Sequence, residues 1–60
     1  MNATYNEMLS EIRRAYRVLG KVRGEMQNDF DIDAWEQLGA ITPEQAEKLR
    51  KYNAECRDSQ

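Results

Sequence analysis

Three carboxylates at alternating positions, Asp29, Asp31 and Asp33, are the residues most suggestive of chemistry in this sequence. A calcium-binding loop begins with that spacing. It also requires a glycine directly after the third aspartate and a bidentate glutamate at loop position twelve. Those positions hold Ala34 and Ala40, so the aspartates read as an acidic turn in which Asp31 or Asp33 caps a helix, and no metal is expected. The candidate nucleophiles are Ser10, Ser59 and Cys56. The chain contains no histidine, and no other base stands at a recognisable spacing from them. There is no glycine-rich phosphate loop. Neither catalysis nor a cofactor is expected.

Two binding surfaces can be read instead. Arg13, Arg14, Arg17 and Lys21 fall within a ~100° sector of one helix, where they could track phosphates. Against nucleic acid stand a net charge of −2 and the position of Tyr5 and Tyr16, which follow the apolar periodicity instead of interleaving with the arginines. The second surface is acidic. Between Arg23 and Lys48 every charged residue is an acid: Glu25, Asp29, Asp31, Asp33, Glu36, Glu44 and Glu47. With Phe30, Ile32 and Trp35 interleaved, Asp29, Asp31, Asp33, Trp35 and Glu36 could dock a basic protein partner. The simpler account is that Phe30, Ile32, Trp35 and Leu38 close one end of the core, with Trp35 the most exposed of them.

The elements that must position these residues are helical. Thr4 with Glu7 fits a capping box, in which hydroxyl and carboxylate satisfy free backbone N–H groups at a helix start. Apolar residues then recur as Tyr5, Ile12, Leu19 and Met26 at one heptad position and Met8, Ala15 and Val22 at another, widened by Leu9 and Tyr16. This predicts a first helix over about 5–28. Gly20 and Gly24 lie inside it, each costing about 1 kcal/mol relative to alanine. Their four-residue spacing would permit a close helix approach, but a merely weakened helix is the preferred reading. Asp33 with Glu36 suggests a second box, opening a short helix over about 34–38 that Gly39 closes in a left-handed conformation. Thr42-Pro43-Glu44-Gln45 opens a third helix over about 43–57, with threonine as cap and proline at the first helical position. Ile41 and Ala46 are placed to staple that cap. Ala46, Leu49, Tyr52 and Cys56 share one face.

The expected fold is all-α: one domain, an antiparallel helical hairpin with a short middle helix. Leu9, Ile12, Tyr16, Leu19, Val22, Leu38, Ile41, Leu49 and Tyr52 are its expected core or interface. A first helix of about 36 Å outruns a third of about 22 Å. The stripe at Tyr5, Met8, Leu9 and Ile12 would then lack cover from its own chain, which predicts a homodimer through those residues. At 60 residues with one cysteine, the chain cannot be reinforced by an internal disulfide, so added burial is valuable.

No basic region leads into an apolar run, and no apolar stretch is long enough to span a membrane. With an unpaired cysteine, this suggests a cytoplasmic protein. The run Leu38-Gly39-Ala40-Ile41-Thr42-Pro43-Glu44-Gln45 resembles the Gly-x-Ile-Thr-x-Glu turn of short helical-hairpin modules, such as C-terminal oligomerisation domains of bacterial proteins. In size, lack of histidine, single cysteine and helical style, the chain also resembles the small charge-rich proteins encoded in the early regions of lambda-like temperate phages. That resemblance implies a non-enzymatic accessory protein acting on a host or phage protein. The preferred function is therefore a protein-binding modulator. The alternative is a nucleic-acid-binding accessory factor using the Arg13, Arg14, Arg17 and Lys21 face.

Overall fold

The structure, a computed structural model, describes residues 4–60; the residues preceding Thr4 lie outside it. It contains three helices, α1 (Tyr5–Leu19), α2 (Lys21–Gln37) and α3 (Pro43–Asp58), and no strand among the described residues. Both threonine caps form. The Thr4 hydroxyl accepts the Glu7 backbone N–H at 3.1 Å. At α3 the box is reciprocal: Thr42 Oγ1 accepts from Gln45 N–H at 3.1 Å, and Gln45 Oε1 accepts from Thr42 N–H at 2.9 Å. Pro43 follows the cap and α3 continues to Asp58.

The expected first helix is not continuous. It breaks at Gly20, whose φ of 87° and ψ of 179° lie outside what a side-chain-bearing residue adopts at low cost. The Gly20 N–H still closes α1 on the Tyr16 carbonyl, while the Gly20 carbonyl accepts the first bond of α2 from Gly24 N–H. This one residue reverses the chain direction, so Ile12 lies beside Asn28 and Tyr16 against Gly24. A Cβ at Gly24 would sit 2.9 Å from Tyr16 Cδ1 and 3.0 Å from Tyr16 Cα. The two glycines thus act together, one turning the chain and the other letting the helices meet; the reading that they only weaken a helix is corrected.

Two further expectations fall with the break. Residues 28–33 are helical, not a connector, and residues 34–37 are the end of α2, not a separate short helix. Asp33 therefore opens nothing. What does hold is the closure at Gly39, with φ 77°. Ala40 N–H bonds the Trp35 carbonyl at 2.9 Å and Gly39 N–H bonds the Glu36 carbonyl at 3.1 Å, the paired bonds of a Schellman stop. After that stop α3 returns antiparallel to α2: Arg50 pairs with Glu36, Asn53 with Asp29, and Arg57 with Glu25.

All three helices contact one another around Met8, Ile12, Tyr16, Ile32, Ile41, Ala46 and Leu49. Tyr5, Leu9, Trp35, Ala40, Tyr52 and Cys56 pack against this core from its margin. Of the expected core, Leu19, Val22 and Leu38 are exposed, the last two at 69% and 82%. Leu19 and Val22 flank the break and lose the phase of the α1 stripe; Leu38 follows the last residue of α2. None of the described helices is long and apolar enough to cross a membrane.

Candidate docking surface

Met8 and Ile12 are wholly buried within their own chain, and Tyr5 and Leu9 lean on the same core. An uncovered stripe requires an unbroken first helix, and α1 ends at Leu19. Once the chain turns at Gly20, Met8 and Ile12 join Ile32, Ile41, Ala46 and Leu49 in one buried cluster, with Tyr5 and Leu9 half-buried against it. Met8 and Ile12 are therefore not available for self-association, and Tyr5 and Leu9 offer only their outer edges.

The apolar surface lies elsewhere. α2 turns Gly24, Asn28 and Ile32 inward, at a spacing of four. Counting at 100° per residue puts Val22, Met26 and Phe30 on the opposite side. They are 69%, 67% and 71% exposed, and Val18 and Leu19 adjoin them from the end of α1. Leu19, Met26 and Phe30 line one open groove with Arg23 and Gln27. Together the five apolar side chains present on the order of 500 Å², a size at which a surface patch is often functional. Sequence periodicity reaches both Val22 and Met26, but it places them on the apolar stripe of the first helix and counts Val22 in the core. The signal that distinguishes the faces is the second four-residue series, Gly24-Asn28-Ile32, which looks too polar to be the buried one.

What makes that polar face buriable is a hydrogen-bond network joining all three helices. Asn28 Nδ2 donates to the Ile12 carbonyl and to Asn53 Oδ1, each at 3.0 Å. The Tyr16 hydroxyl meets both the Asn53 carbonyl, at 2.9 Å, and its side-chain oxygen. Asn53 Nδ2 donates to Asp29 Oδ1 at 3.2 Å and reaches the Glu25 carbonyl at 3.4 Å. Among the described residues no buried side-chain nitrogen or oxygen lacks a partner. Burial, reinforced by the negative charge of Glu25, pushes the Tyr16 phenol above its ordinary value. Asp58 and Glu25 hold the Arg57 guanidinium still more firmly protonated. Asn53 could have been found in the sequence, since it continues the Ala46-Leu49 face of α3.

The acidic residues are dispersed. Asp29 is tied to Asn53, Asp31 accepts from Gln27 at 3.0 Å, and Asp33 and Glu36 both lie against Arg50 at 3.7 and 3.1 Å. Trp35 is half-buried against the core. On a helix, residues two apart project about 200° from each other. Asp29, Asp31, Asp33, Trp35 and Glu36 therefore do not form one face, which corrects the acidic docking surface.

The basic sector is shortened as well. Arg13 donates to the Tyr52 hydroxyl at 2.8 Å and to Ser10 at 3.2 Å, and Arg14 lies 3.9 Å from Glu11. Lys21 stands beyond the Gly20 break and belongs to α2. Arg17 is exposed near the end of α1. Comparisons with protein-family models, with curated proteins and with solved structures find no match to this chain.

Proposed function

We propose that this chain is a small, non-enzymatic protein-binding module that docks through the outer face of α2. The observation that carries the reading is the inverted placement of residues on that helix. Glycine and asparagine face the core, while Val22, Met26 and Phe30 face solvent. Burying such side chains is worth roughly 1.5–3 kcal/mol apiece, so leaving three of them exposed in a chain this small is a thermodynamic loss that a partner would recover. The resemblance to early-region phage proteins suggests the same class, an accessory factor acting on a host or phage protein. Nucleic-acid binding is the weaker reading, because Arg13 and Arg14 are already engaged within the chain.

A photo-crosslinking residue placed at Met26 tests the proposal, with the same residue at Lys48, exposed on α3, as control. Discrete protein adducts from position 26 and none from position 48 are expected. Equal labelling at both positions, or none at either, refutes docking through α2. A parallel salt titration on immobilised DNA should show release at low salt; retention with a steep salt dependence would instead favour the phosphate-tracking alternative.

A further inference from the structure

The charges on α2 suggest what covers its apolar face. A helix is stabilised by acids near its N-terminus and bases near its C-terminus. α2 has neither an acid in its first turn nor a base in its last. It begins with Lys21 and Arg23 and continues with Glu25, Asp29, Asp31, Asp33 and Glu36. This order is wrong for the helix's own dipole and right for an antiparallel copy of itself.

We infer that the outer face of α2 pairs with the same face of a second copy of the chain, antiparallel about a two-fold axis near Met26. The inference rests on α2 being the docking face. With Met26 at the axis, counting outward brings Val22 level with Phe30 of the second copy and sets the basic start of each helix, Lys21 and Arg23, alongside the acidic half of the other, Asp29 to Glu36, and both matches repeat by symmetry. Arg50 already lies against Asp33 and Glu36, and Arg57 against Glu25. Lys21 and Arg23 have no ion-pair partner among the described residues. They are the two cations that α2 itself carries to meet the acidic half of another α2. The apolar patch with its rim of Arg23, Gln27 and Asp33 gives an interface of about 1,000–1,200 Å² in total, the size of weak and transient complexes. A dimer with an interface of that size is of the kind that exchanges.

Sedimentation equilibrium on the full chain tests this, and the expected mass at about 100 µM is twice the 7.1 kDa of the monomer. Phe30→Ser should weaken association about thirtyfold, and Arg23→Glu should also weaken it. Both side chains are exposed, so the variants keep the wild-type circular dichroism. In a Cys56→Ser background, Met26→Cys should form a disulfide between copies on mild oxidation, because only the residue at the axis meets itself. Lys48→Cys in the same background should not. A monomer up to about 300 µM, or a dimer that Phe30→Ser and Arg23→Glu leave intact, overturns the inference. If the protein is monomeric but a photo-crosslinker at Met26 captures a different protein, α2 remains the docking face and only the second copy as its occupant is rejected. If neither occurs, both readings fall.

Discussion

Gly24→Ala separates a broken first helix from a continuous one by the sign of a single measurement. In an unbroken solvent-facing helix, replacing this glycine with alanine gains about 1 kcal/mol, because alanine loses less conformational freedom and is the better helix former. In the structure the added methyl would stand 2.9 Å from Tyr16 Cδ1, 3.0 Å from Tyr16 Cα and 3.1 Å from Tyr16 N. Two of those atoms are backbone and cannot rotate away. Tyr16 cannot swing freely either, since its hydroxyl is held by Asn53. Relief therefore requires α1 and α2 to separate by several tenths of an ångström. That loosens Ile12 and the Asn28 bond to the Ile12 carbonyl. Forcing an extra methyl into a packed contact costs about 1–3 kcal/mol, and here the backbone contact puts the cost at the upper end. Set against the propensity gain, the variant should be less stable by about 1–2 kcal/mol.

Urea denaturation followed by circular dichroism at 222 nm reads this directly, with an accompanying fall of about 4–16 °C in the melting temperature of so small a domain. An increase in stability would refute the crossing of α1 and α2 at Gly24, and with it the turn at Gly20 and the outward placement of Val22, Met26 and Phe30.

Thr42→Ala should lose about 1 kcal/mol by breaking the reciprocal cap of α3; an unchanged urea midpoint would show that the cap contributes nothing. Asn53→Ala should cost about 1–3 kcal/mol in urea denaturation, because it removes the oxygen that Asn28 donates to and the amide that donates to Asp29, while the Tyr16 hydroxyl keeps the backbone carbonyl of residue 53. Because the folded state raises the Tyr16 phenol, it holds that proton more tightly than the unfolded chain does. The associated stability is fully present below the ordinary phenol value of about 10 and is lost as pH rises through the folded value. Urea midpoints measured from pH 8 to 11 should therefore fall less steeply in Tyr16→Phe than in wild type, and parallel slopes would contradict the assignment.

Much of the fold was legible because it follows from local chemistry. The caps at Thr4 and Thr42 and the left-handed stop at Gly39 each depend on residues within a single turn, and these features form as their residue types dictate. The stripe through Met8, Ile12 and Tyr16 was also correctly periodic, and these residues are core. The error entered at Gly20. A heptad pattern that continues through Leu19, Val22 and Met26 is what one long helix would show, and nothing local distinguishes a glycine that weakens a helix from one that ends it. The decision is tertiary: the chain turns because Gly24 fits against Tyr16 and because Asn28 finds Ile12 and Asn53, contacts between residues far apart in sequence. One wrong element boundary then displaced the whole candidate site. The α1 stripe acquired cover from its own chain, the aspartates spread around a helix, and the apolar surface moved to α2.

The orientation of α2 about its own axis is a contest between two comparable free energies. Turned by half a revolution, α2 would bury Val22, Met26 and Phe30 and expose Ile32 with Gly24 and Asn28. On apolar burial alone that exchange favours the rotated form by at most roughly 3–6 kcal/mol. Against it stands the polar network: Asn53 would stay in the core without Asn28 and Asp29, at about 1–3 kcal/mol for each group left short of a partner. In addition, the close seat of α1 on α2 exists only where Gly24 faces Tyr16. The contacts that the observed orientation has and the rotated one lacks are those of Asn28, Asn53 and Gly24. A partner on the outer face removes the conflict, because Val22, Met26 and Phe30 are then covered without disturbing the network. A partner docked on the proposed face would therefore stabilise the native orientation, by an amount that grows with the logarithm of its concentration over its Kd.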